Sequence, residues 1–412
     1  MRILSISAQK PNSTGSGIYM TELVKAFESM GHEQAVIAGI NEGESSGFHS
    51  HISFYPVIFK SDALPFPVCG MSDEMPYEST RYRDMTEQMR QQFQTAFMEV
   101  AKEAIHDFDP DLIICHHLYL MTATIRDNFP EKRILGICHN TDLRQLEKIT
   151  FARDYIISKI NKLDEILALH QAQKEKIIEI FAVPSEKVRV VGSGYNSNIF
   201  NMGNSNFSEP LQAVQEKENN VIHVAYAGKI AIKKGVLSLI KCSSHLKTLL
   251  EPNTPEIVFH LAGSAGNTDE FKMIKDAALK AECSFEFTGP LPQPKLAEVY
   301  RNCQLFVLPS FYEGLPLTPV EAMACGCRAI ITDVPGVKDW IMNNAPDARI
   351  SFVALPEMRN VDEPVEEALP AFELDLAKEI KKSIDILPNE LHKTTDLSGI
   401  TWSGLASRIL GL

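Results

Sequence analysis

The chain has 412 residues and a formal net charge of −13 at pH 7, and apolar residues make up 44% of it. Because one hydrophobic core seldom supports so long a chain, the length predicts two domains. The negative charge argues against a nucleic acid as the main partner, since nucleic-acid binding depends on a basic surface.

Short apolar runs alternate with longer helical patterns along the chain. These runs are apolar throughout rather than at every second residue, which is typical of strands buried on both faces of a parallel sheet. In chain order they are RILSIS, QAVIAG, DLIICHH, RILGICH, EILALH, VRVVGSG, VIHVAYAG, EIVFHLAG, FEFTGP, QLFVLPS and RAIITD. The sequence therefore predicts an α/β fold with doubly wound, Rossmann-like domains.

A polar stretch at residues 201–220, NMGNSNFSEPLQAVQEKENN, separates the sixth predicted strand from the seventh. Its glycine, proline, serine and asparagine content predicts an interdomain linker between residues 1–200 and residues 221–399. We expect the two halves to face each other across a cleft, with ligands at the carboxyl ends of the strands.

No apolar run is long enough to span a membrane, and no early segment has the flanks of a signal peptide. The eight cysteines are scattered, without a CxxC pair. A chain of this size does not need disulfides, so neither disulfides nor structural zinc is expected, and the pattern predicts a reducing, cytoplasmic location.

Two loops that follow predicted strands carry residues suited to binding an anion. Gly15 and Gly17 form a glycine-rich turn into a helix, which either brings backbone N–H groups close to a phosphate or serves only as a flexible loop. Lys229 and Lys234 lie between a strand and the helix after Gly235. They either form a diphosphate site or belong to a solvated loop.

The stretch SFYEGLPLTPVEAMACG places two glutamates eight positions apart. Thr318 is predicted as the N-cap of a helix, and Glu321 completes a capping box with it, so Glu321 has a purely structural interpretation. Glu313 precedes Gly314 and has no such role. The two carboxylates could instead accept hydrogen bonds from the two diol-bearing rings of a sugar nucleotide, or they could act as an acid and base pair.

This stretch resembles the hallmark of the GT-B-fold glycosyltransferases of family 4: Glu, seven residues, Glu, then Ala-Met-Ala-x-Gly. The resemblance extends through AGKIAIKKG, FHLAGSAG, FTGPLP and ITDVPGVKDWI, and in the first half through GSGIYMTELVKAFESMGHE and VVGSGYNSNIF. It covers residues 1–341 in order. The end of the chain, at residues 400–412, resembles the tryptophan-bearing helix that joins the first domain in this fold.

The resemblance implies roles for individual residues. The family's first glutamate contacts the donor sugar and falls on Glu313, and its second contacts the ribose and falls on Glu321. The diphosphate-binding lysine falls on Lys234, but the position of the family's arginine holds Lys229, which keeps the charge and lacks the bidentate fork. The histidine near the sugar falls on His139. The implied catalytic residues are Glu313, His139, Lys229 and Lys234.

The nucleotide sugar is expected to contact a wider set of residues at the strand ends. Besides Lys229, Lys234 and Glu321, this set comprises Gly15, Gly17, Gly228, Gly263, Gly289, Leu291, Gly314 and Leu315.

No cofactor or metal is implied. Cys115, His116 and His117 lack further ligands at metal spacing and are predicted to line a cleft or a core. The DFD motif at residues 107–109 precedes a strand and is predicted to be a turn.

Two further features are an acidic segment that departs from the family pattern and a basic cluster that leaves contact with a membrane open. An acidic, proline-punctuated segment at residues 350–375 replaces the family's usual closing loop, and the sequence gives it no role. A basic cluster is predicted as solvated surface and leaves peripheral membrane contact open; it comprises Arg144, Lys148, Arg153, Lys159 and Lys162.

The resemblance implies a retaining, metal-independent glycosyltransferase. It would move a sugar from a nucleotide diphosphate sugar, expected to be a UDP-sugar, to an acceptor bound by the first domain. The acceptor is left as a saccharide, a lipid-linked saccharide or a small molecule, and the oligomeric state is also open. The alternatives are a GT-B-fold sugar-nucleotide epimerase and a non-catalytic sugar-nucleotide binding protein.

Overall fold

The computed structural model describes residues 1–45, 47–73, 75–203, 221–252, 254–390 and 395–412. The chain forms two compact units: unit 1 comprises Met1–Gly194 with Trp402–Leu412, and unit 2 comprises Tyr195–Thr401. The linker predicted over residues 201–220 lies outside the described residues from residue 204 onward.

Unit 1 is built on a seven-stranded sheet in which every neighbouring pair is parallel, in the order β3-β2-β1-β6-β7-β8-β9. A second, two-stranded sheet pairs β4 with β5. The strands are β1 (Arg2–Ser7), β2 (Glu33–Asn41), β3 (Ser53–Phe59), β4 (Cys69–Gly70), β5 (Thr80–Arg81), β6 (Leu112–His116), β7 (Ile134–Ile137), β8 (Glu165–Ala168) and β9 (Val188–Val190).

Six helices of unit 1 connect these strands along the chain. They are α1 (Gly15–Ser29), α2 (Glu87–Phe108), α3 (Leu120–Asn128), α4 (Thr141–Lys148), α5 (Arg153–Ile160) and α6 (Gln171–Phe181). Helix α2 begins where the Thr86 side chain accepts the backbone N–H of Met89, and it ends at Asp109 in the left-handed region. Asp107 and Phe108 of the DFD motif therefore lie in the last turn of α2, and only Asp109 leaves the helix, so the prediction of a turn is wrong for the first two residues.

Unit 2 contains a six-stranded sheet, again parallel throughout, in the order β12-β11-β10-β13-β14-β15. Its strands are β10 (Val221–Ala227), β11 (Glu256–Ala262), β12 (Ser284–Gly289), β13 (Leu305–Leu308), β14 (Arg328–Thr332) and β15 (Ile350–Val353). Its helices are α7 (Val236–Leu249), α8 (Thr268–Ala278), α9 (Gln293–Arg301), α10 (Thr318–Ala324), α11 (Val337–Asn344) and α12 (Leu369–Ile386). The predicted α/β class is confirmed.

Two strands of these parallel sheets were missing from the predicted runs, and both lie at sheet edges. Strand β3 contains Pro56, which has no backbone N–H to donate and is therefore tolerated at an edge. Strand β15 opens the acidic segment, where the sequence departs from the family pattern. An edge position alone does not explain the two omissions, because the other edge strands, β9 and β12, correspond to predicted runs.

The last helix, α13 (Trp402–Leu410), packs within unit 1. The Trp402 ring meets the Tyr19 ring edge-on, with 5.1 Å between the ring centroids. A Cβ added to Gly194 would lie 2.7 Å from the backbone nitrogen of Trp402, so the chain comes very close to the start of α13 there. Among the described residues, no helix has both the length and the apolar character needed to cross a membrane.

Candidate functional site

The predicted ligand-binding loops of unit 2 follow four strands of one parallel sheet. Lys229 and Lys234 come after β10, Gly263 after β11, Gly289 ends β12, and Glu313 comes after β13. In a parallel sheet the carboxyl ends of the strands share one edge, so the topology places these loops along that edge.

The loop after β10 is held in place from two sides. The carboxylate of Glu270, in the first turn of α8, accepts the backbone N–H of Ile232 at 2.6 Å. Gly235 adopts φ +69°, and a Cβ there would lie 1.9 Å from the carbonyl oxygen of Pro309. Only glycine combines that backbone angle with so close an approach. The lysine loop is therefore packed directly against the loop after β13.

Lys234 and Glu313 form an ion pair between these two loops. The ammonium of Lys234 lies 2.7 Å from the Glu313 carboxylate and donates to the carbonyl oxygen of Tyr312 at 3.0 Å. The Phe311 backbone N–H donates to the Lys233 carbonyl oxygen at 3.2 Å. The Glu313 side chain is only 18% exposed, so it is largely shielded from solvent.

Tyr226, at the end of β10, is a neighbour that the sequence reasoning missed. Its hydroxyl donates to the carbonyl oxygen of Lys229 at 2.7 Å and so fixes the start of the lysine loop. Burial raises the pKa of Tyr226 well above its ordinary value, and the nearby Glu313 carboxylate adds to the rise. A tyrosine at the end of an otherwise apolar strand was the available signal.

Lys229 is exposed, and its ammonium has no carboxylate partner among the described residues. The neighbouring Lys233 pairs with Asp362 at 3.2 Å and with Glu363 at 3.7 Å. The loop therefore offers one unneutralised cation, Lys229, beside the Lys234 to Glu313 pair.

The contacts of Lys233 give the acidic segment a place in the fold. Met358 and Pro364 pair in an antiparallel bridge, and the Val365 backbone N–H donates to the Glu357 carbonyl oxygen at 2.8 Å. This tight hairpin carries Asp362, which is 6% exposed, to the lysine loop. The sequence could not show this contact, because 129 positions separate Lys233 from Asp362.

Three of the predicted glycines are brought together. The Gly228 N–H donates to the Ala262 carbonyl at 3.0 Å, and the Gly263 N–H donates to the Gly289 carbonyl at 2.9 Å. A Cβ on Gly263 would lie 1.7 Å from the Gly228 carbonyl oxygen, so only glycine fits there. Leu291 and Leu315 pack partly buried against the unit 2 core.

The capping-box prediction for Thr318 and Glu321 is wrong. Helix α10 already includes Thr318, its N-cap is Leu317, and no side chain caps it. The Glu321 backbone N–H donates to the Leu317 carbonyl oxygen, which places Glu321 one position too far into the helix for the reciprocal bond. Thr318 is not the N-cap because Leu317 before it already adopts helical backbone angles.

Glu321 instead carries a buried carboxyl group. The residue is 7% exposed, and its carboxyl has no hydrogen-bond partner within the described parts of the chain. Burial raises the pKa of Glu321 to about 8. Burying a carboxyl group without a hydrogen bond costs free energy, which a ligand that donates a hydrogen bond would recover, so Glu321 stays a candidate binding residue.

In unit 1, the glycine-rich segment forms the first turn of α1. Gly15 begins the helix, and the Gly17 backbone N–H donates to the Thr14 side chain at 3.1 Å. A Cβ on Gly17 would lie 2.6 Å from the Lys10 carbonyl oxygen, so the glycine permits the loop after β1 to fold back on the helix.

His139 follows β7 and lies among polar side chains at the same edge of the unit 1 sheet. Its Nε2 is 3.1 Å from Nδ1 of His116, and its backbone N–H donates to the fully buried Asp142 at 3.0 Å. His117 lies 3.4 Å from Asp142. Burial lowers the pKa of His139 well below its ordinary value, and both neighbouring histidines add to this, so the ring is neutral at pH 7.

The group around His139 was only partly foreseen. Asp142 was missed, although an acidic residue three positions after a strand-end histidine was visible in CHNTD. Among the described residues, no group of three or more histidines, cysteines and carboxylates has a geometry that could hold a metal ion.

Comparison with protein families decides the identity. The model described as "Glycosyltransferase Family 4" matches residues 13–198, and the model described as "Glycosyl transferases group 1" matches residues 208–354. The chain is a family 4-like glycosyltransferase.

Among characterised proteins, the glycosyltransferase is 25% identical over 281 residues to the serotype-specific mannosyltransferase WbdA of Escherichia coli. The match covers 63% of this chain and 33% of that relative, so the chain spans about a third of its length. It is also 28% identical over 176 residues to a mannosylfructose-phosphate synthase of Agrobacterium fabrum, which covers 41% of this chain and 37% of the relative.

Among solved structures, Anabaena HepE in complex with UDP and glucose superposes with a TM-score of 0.62 at 16% identity, covering 100% of this chain and 98% of that one. At this identity the likeness shows the fold alone. The glycosyltransferase therefore has the GT-B fold.

We expect Glu321→Gln to change how stability depends on pH. The folded-state pKa of about 8 lies above the ordinary value of 4.5, so the folded state binds this proton more tightly and loses stability as pH rises between those values. Glutamine cannot ionise. The free energy of unfolding of the variant should therefore rise relative to that of the wild type, by up to about 1.4 kcal/mol per pH unit between about pH 5 and 8.

Urea unfolding at pH 5 and pH 7.5 measures this difference. Glu298→Gln is the control, because Glu298 is an exposed glutamate of the same unit. A Glu321→Gln variant whose stability relative to wild type is the same at both pH values would show that the carboxyl group is not buried as described.

Proposed function

We propose that this glycosyltransferase moves a sugar from a nucleotide diphosphate sugar, a UDP-sugar, to an acceptor hydroxyl with retention of configuration, in the cytoplasm and without a metal. The observation that carries the proposal is the Lys234 to Glu313 pair at the carboxyl edge of the unit 2 sheet. A cation and a carboxylate in contact match the two parts of such a donor, an anionic diphosphate and a polyhydroxylated ring.

In this proposal the lysines stabilise the departing diphosphate. Lys229 has no carboxylate partner among the described residues, and Lys234 can exchange its contact with Glu313 for a phosphate oxygen. The packed loop holds the backbone that carries both lysines, and charges placed in advance of the reaction are an effective way to stabilise a leaving group. As a lysine, Lys229 binds phosphate as a point charge, without the two-pronged contact of an arginine.

The two glutamates would bind the two hydroxyl-bearing rings. Once Lys234 moves to the diphosphate, the Glu313 carboxylate is free to accept hydrogen bonds from sugar hydroxyls. Glu321 would accept from the ribose, which supplies donors to a buried carboxyl that has no partner within the described chain. Gly228, Gly263 and Gly289 would let the nucleotide approach the backbone closely, because they carry no side chain. Gly314, Leu315 and Leu291 would complete that surface.

Unit 1 is proposed to bind the acceptor. His139, neutral at pH 7, can either donate to or accept from a hydroxyl, and Asp142 fixes its backbone. Gly15 and Gly17 shape the loop beside it.

The relatives support the reaction class and the donor. One is named a mannosyltransferase and another a synthase of a phosphorylated disaccharide. A protein of the same fold was solved with UDP and glucose.

We expect Lys234→Ala to weaken UDP binding by about 1.5–3 kcal/mol, the range for a hydrogen bond to a charged group. Isothermal titration calorimetry with UDP measures the loss. Lys233→Ala is the matched control, because the adjacent lysine pairs with Asp362 instead of Glu313. Equal losses in both variants, or none in Lys234→Ala, would contradict the assignment of Lys234 to the diphosphate.

We expect Glu313→Gln to lower turnover without weakening the binding of UDP. UDP affinity should stay the same or rise, because Lys234 no longer shares its charge with a carboxylate. Turnover of the complete donor should fall, because the amide accepts fewer hydrogen bonds from the sugar than the carboxylate does. Steady-state kinetics at saturating acceptor would show this. Wild-type turnover in the variant would remove Glu313 from the mechanism.

The reaction class is tested by following UDP-glucose with and without a saccharide acceptor. Acceptor-dependent UDP release that survives EDTA, with an α-linked product by proton NMR, is the expected result. An epimerase would change the sugar or release UDP without an acceptor, and a binding protein would show affinity without turnover. Either outcome would contradict the proposed transfer.

A further inference from the structure

Unit 1 contains a cavity of about 420 Å³ that neither the sequence motifs nor the proposed donor site uses. Lys10 lies just beyond the end of β1, and Glu44 just beyond the end of the adjacent β2, so both belong to the carboxyl edge of the sheet. The lining includes Lys10, Pro11, Ile40, Glu44, Pro76 and Tyr77.

The charged group of this cavity is a buried lysine. Lys10 is 8% exposed, and its ammonium lies 2.5 Å from Oε1 of Glu44 and 4.8 Å from the centre of the Tyr77 ring. An ammonium has three N–H donors. One is directed to the carboxylate, and the ring face lies at cation–π distance, so the ammonium keeps donor capacity for a ligand.

Glu44 is held by its own loop and remains partly open. Its Oε2 accepts the Asn41 backbone N–H at 2.9 Å, and its side chain is 40% exposed. Partial burial alone would raise the pKa of Glu44, but the hydrogen bonds from Lys10 and Asn41 outweigh it and leave the pKa below its ordinary value. Glu44 is therefore ionised at pH 7, and its charge offsets that of the ammonium beside it.

This electrostatic balance discriminates between ligands. Lys10 is the only cation that lines the cavity among the described residues, and it already has a carboxylate beside it. A phosphate would meet that carboxylate at short range, and the like charges would repel. Vicinal hydroxyls can donate to the carboxylate and accept from the ammonium, while Pro11, Ile40, Pro76 and the Tyr77 ring offer apolar surface to C–H groups.

The cavity is connected to the predicted catalytic group of the same unit. The Lys10 carbonyl lies against Gly17 in the first turn of α1, and Tyr19 of that helix meets the His139 ring edge-on, with 5.1 Å between centroids. One helix turn thus links the Lys10 loop to His139.

We propose that this cavity binds an uncharged saccharide through vicinal hydroxyls that bridge Lys10 and Glu44, and that it discriminates against phosphorylated sugars. The inference rests on the proposed function, since the saccharide would be the acceptor of the transfer.

Titration by saturation-transfer NMR tests the proposal with three neutral probes, methyl α-glucoside, methyl α-mannoside and maltose, and with glucose 6-phosphate. At least one neutral probe should bind the wild type more tightly than the sugar phosphate. Lys10→Met should weaken that binding by about fivefold or more, the size of one hydrogen bond. Glu44→Gln should weaken the neutral probe and strengthen glucose 6-phosphate, because it leaves the Lys10 charge uncancelled.

Lys176→Met is the matched control, since it breaks a lysine to glutamate pair of unit 1 outside the cavity, with Glu147 at 2.7 Å. Unchanged circular dichroism spectra and UDP affinity show that each variant is folded. The subsite is refuted if no neutral probe binds, if the sugar phosphate binds more tightly, or if neither variant differs from the control. Failure of the proposed function looks different: the wild type would then show no acceptor-dependent release of UDP from UDP-glucose, whether or not it binds UDP.

Discussion

The ion pair between Lys234 and Glu313 is the interaction on which the donor site depends. It joins the loop after β10 to the loop after β13, and the contact of Gly235 with Pro309 and the bond from Phe311 to Lys233 hold the same two loops together. Because a lysine and a glutamate neutralise each other, both can stay partly buried before a ligand arrives. A nucleotide diphosphate sugar offers each of them a new partner of the right charge and hydrogen-bonding type.

The two units differ in how far carboxylates neutralise their lysines, and this difference matches the ligand proposed for each unit. In unit 2, Asp362 of the acidic hairpin pairs with Lys233, and Glu313 pairs with Lys234. Lys229 has no carboxylate partner in the described chain, so the loop keeps a positive charge for a diphosphate. In unit 1, Glu44 cancels the charge of Lys10 inside the cavity. Charge balance at each site thus favours an anion in one unit and a neutral polyol in the other.

The sequence predicted the parts of the fold that local pattern controls. Apolar runs identified the central strands, and the glycines at their ends marked the close approach of Gly228 and Gly263. The edge strand β3 was missed, because a proline inside an apolar run argues against a strand. The capping box at Thr318 was wrong because Leu317 already has helical backbone angles, so the helix begins one residue earlier than the local motif suggested. The contact of Asp362 with Lys233 spans 129 positions, and no local signal encodes such a pairing.

The most direct test of the central claim is a crystal structure of the protein with UDP-glucose bound. The account predicts that the Lys234 ammonium leaves Glu313 and lies within hydrogen-bond distance of a diphosphate oxygen, while Glu313 accepts from hydroxyls of the glucose ring. A donor bound with the Lys234 to Glu313 pair intact, and with neither residue in contact with it, would contradict the account.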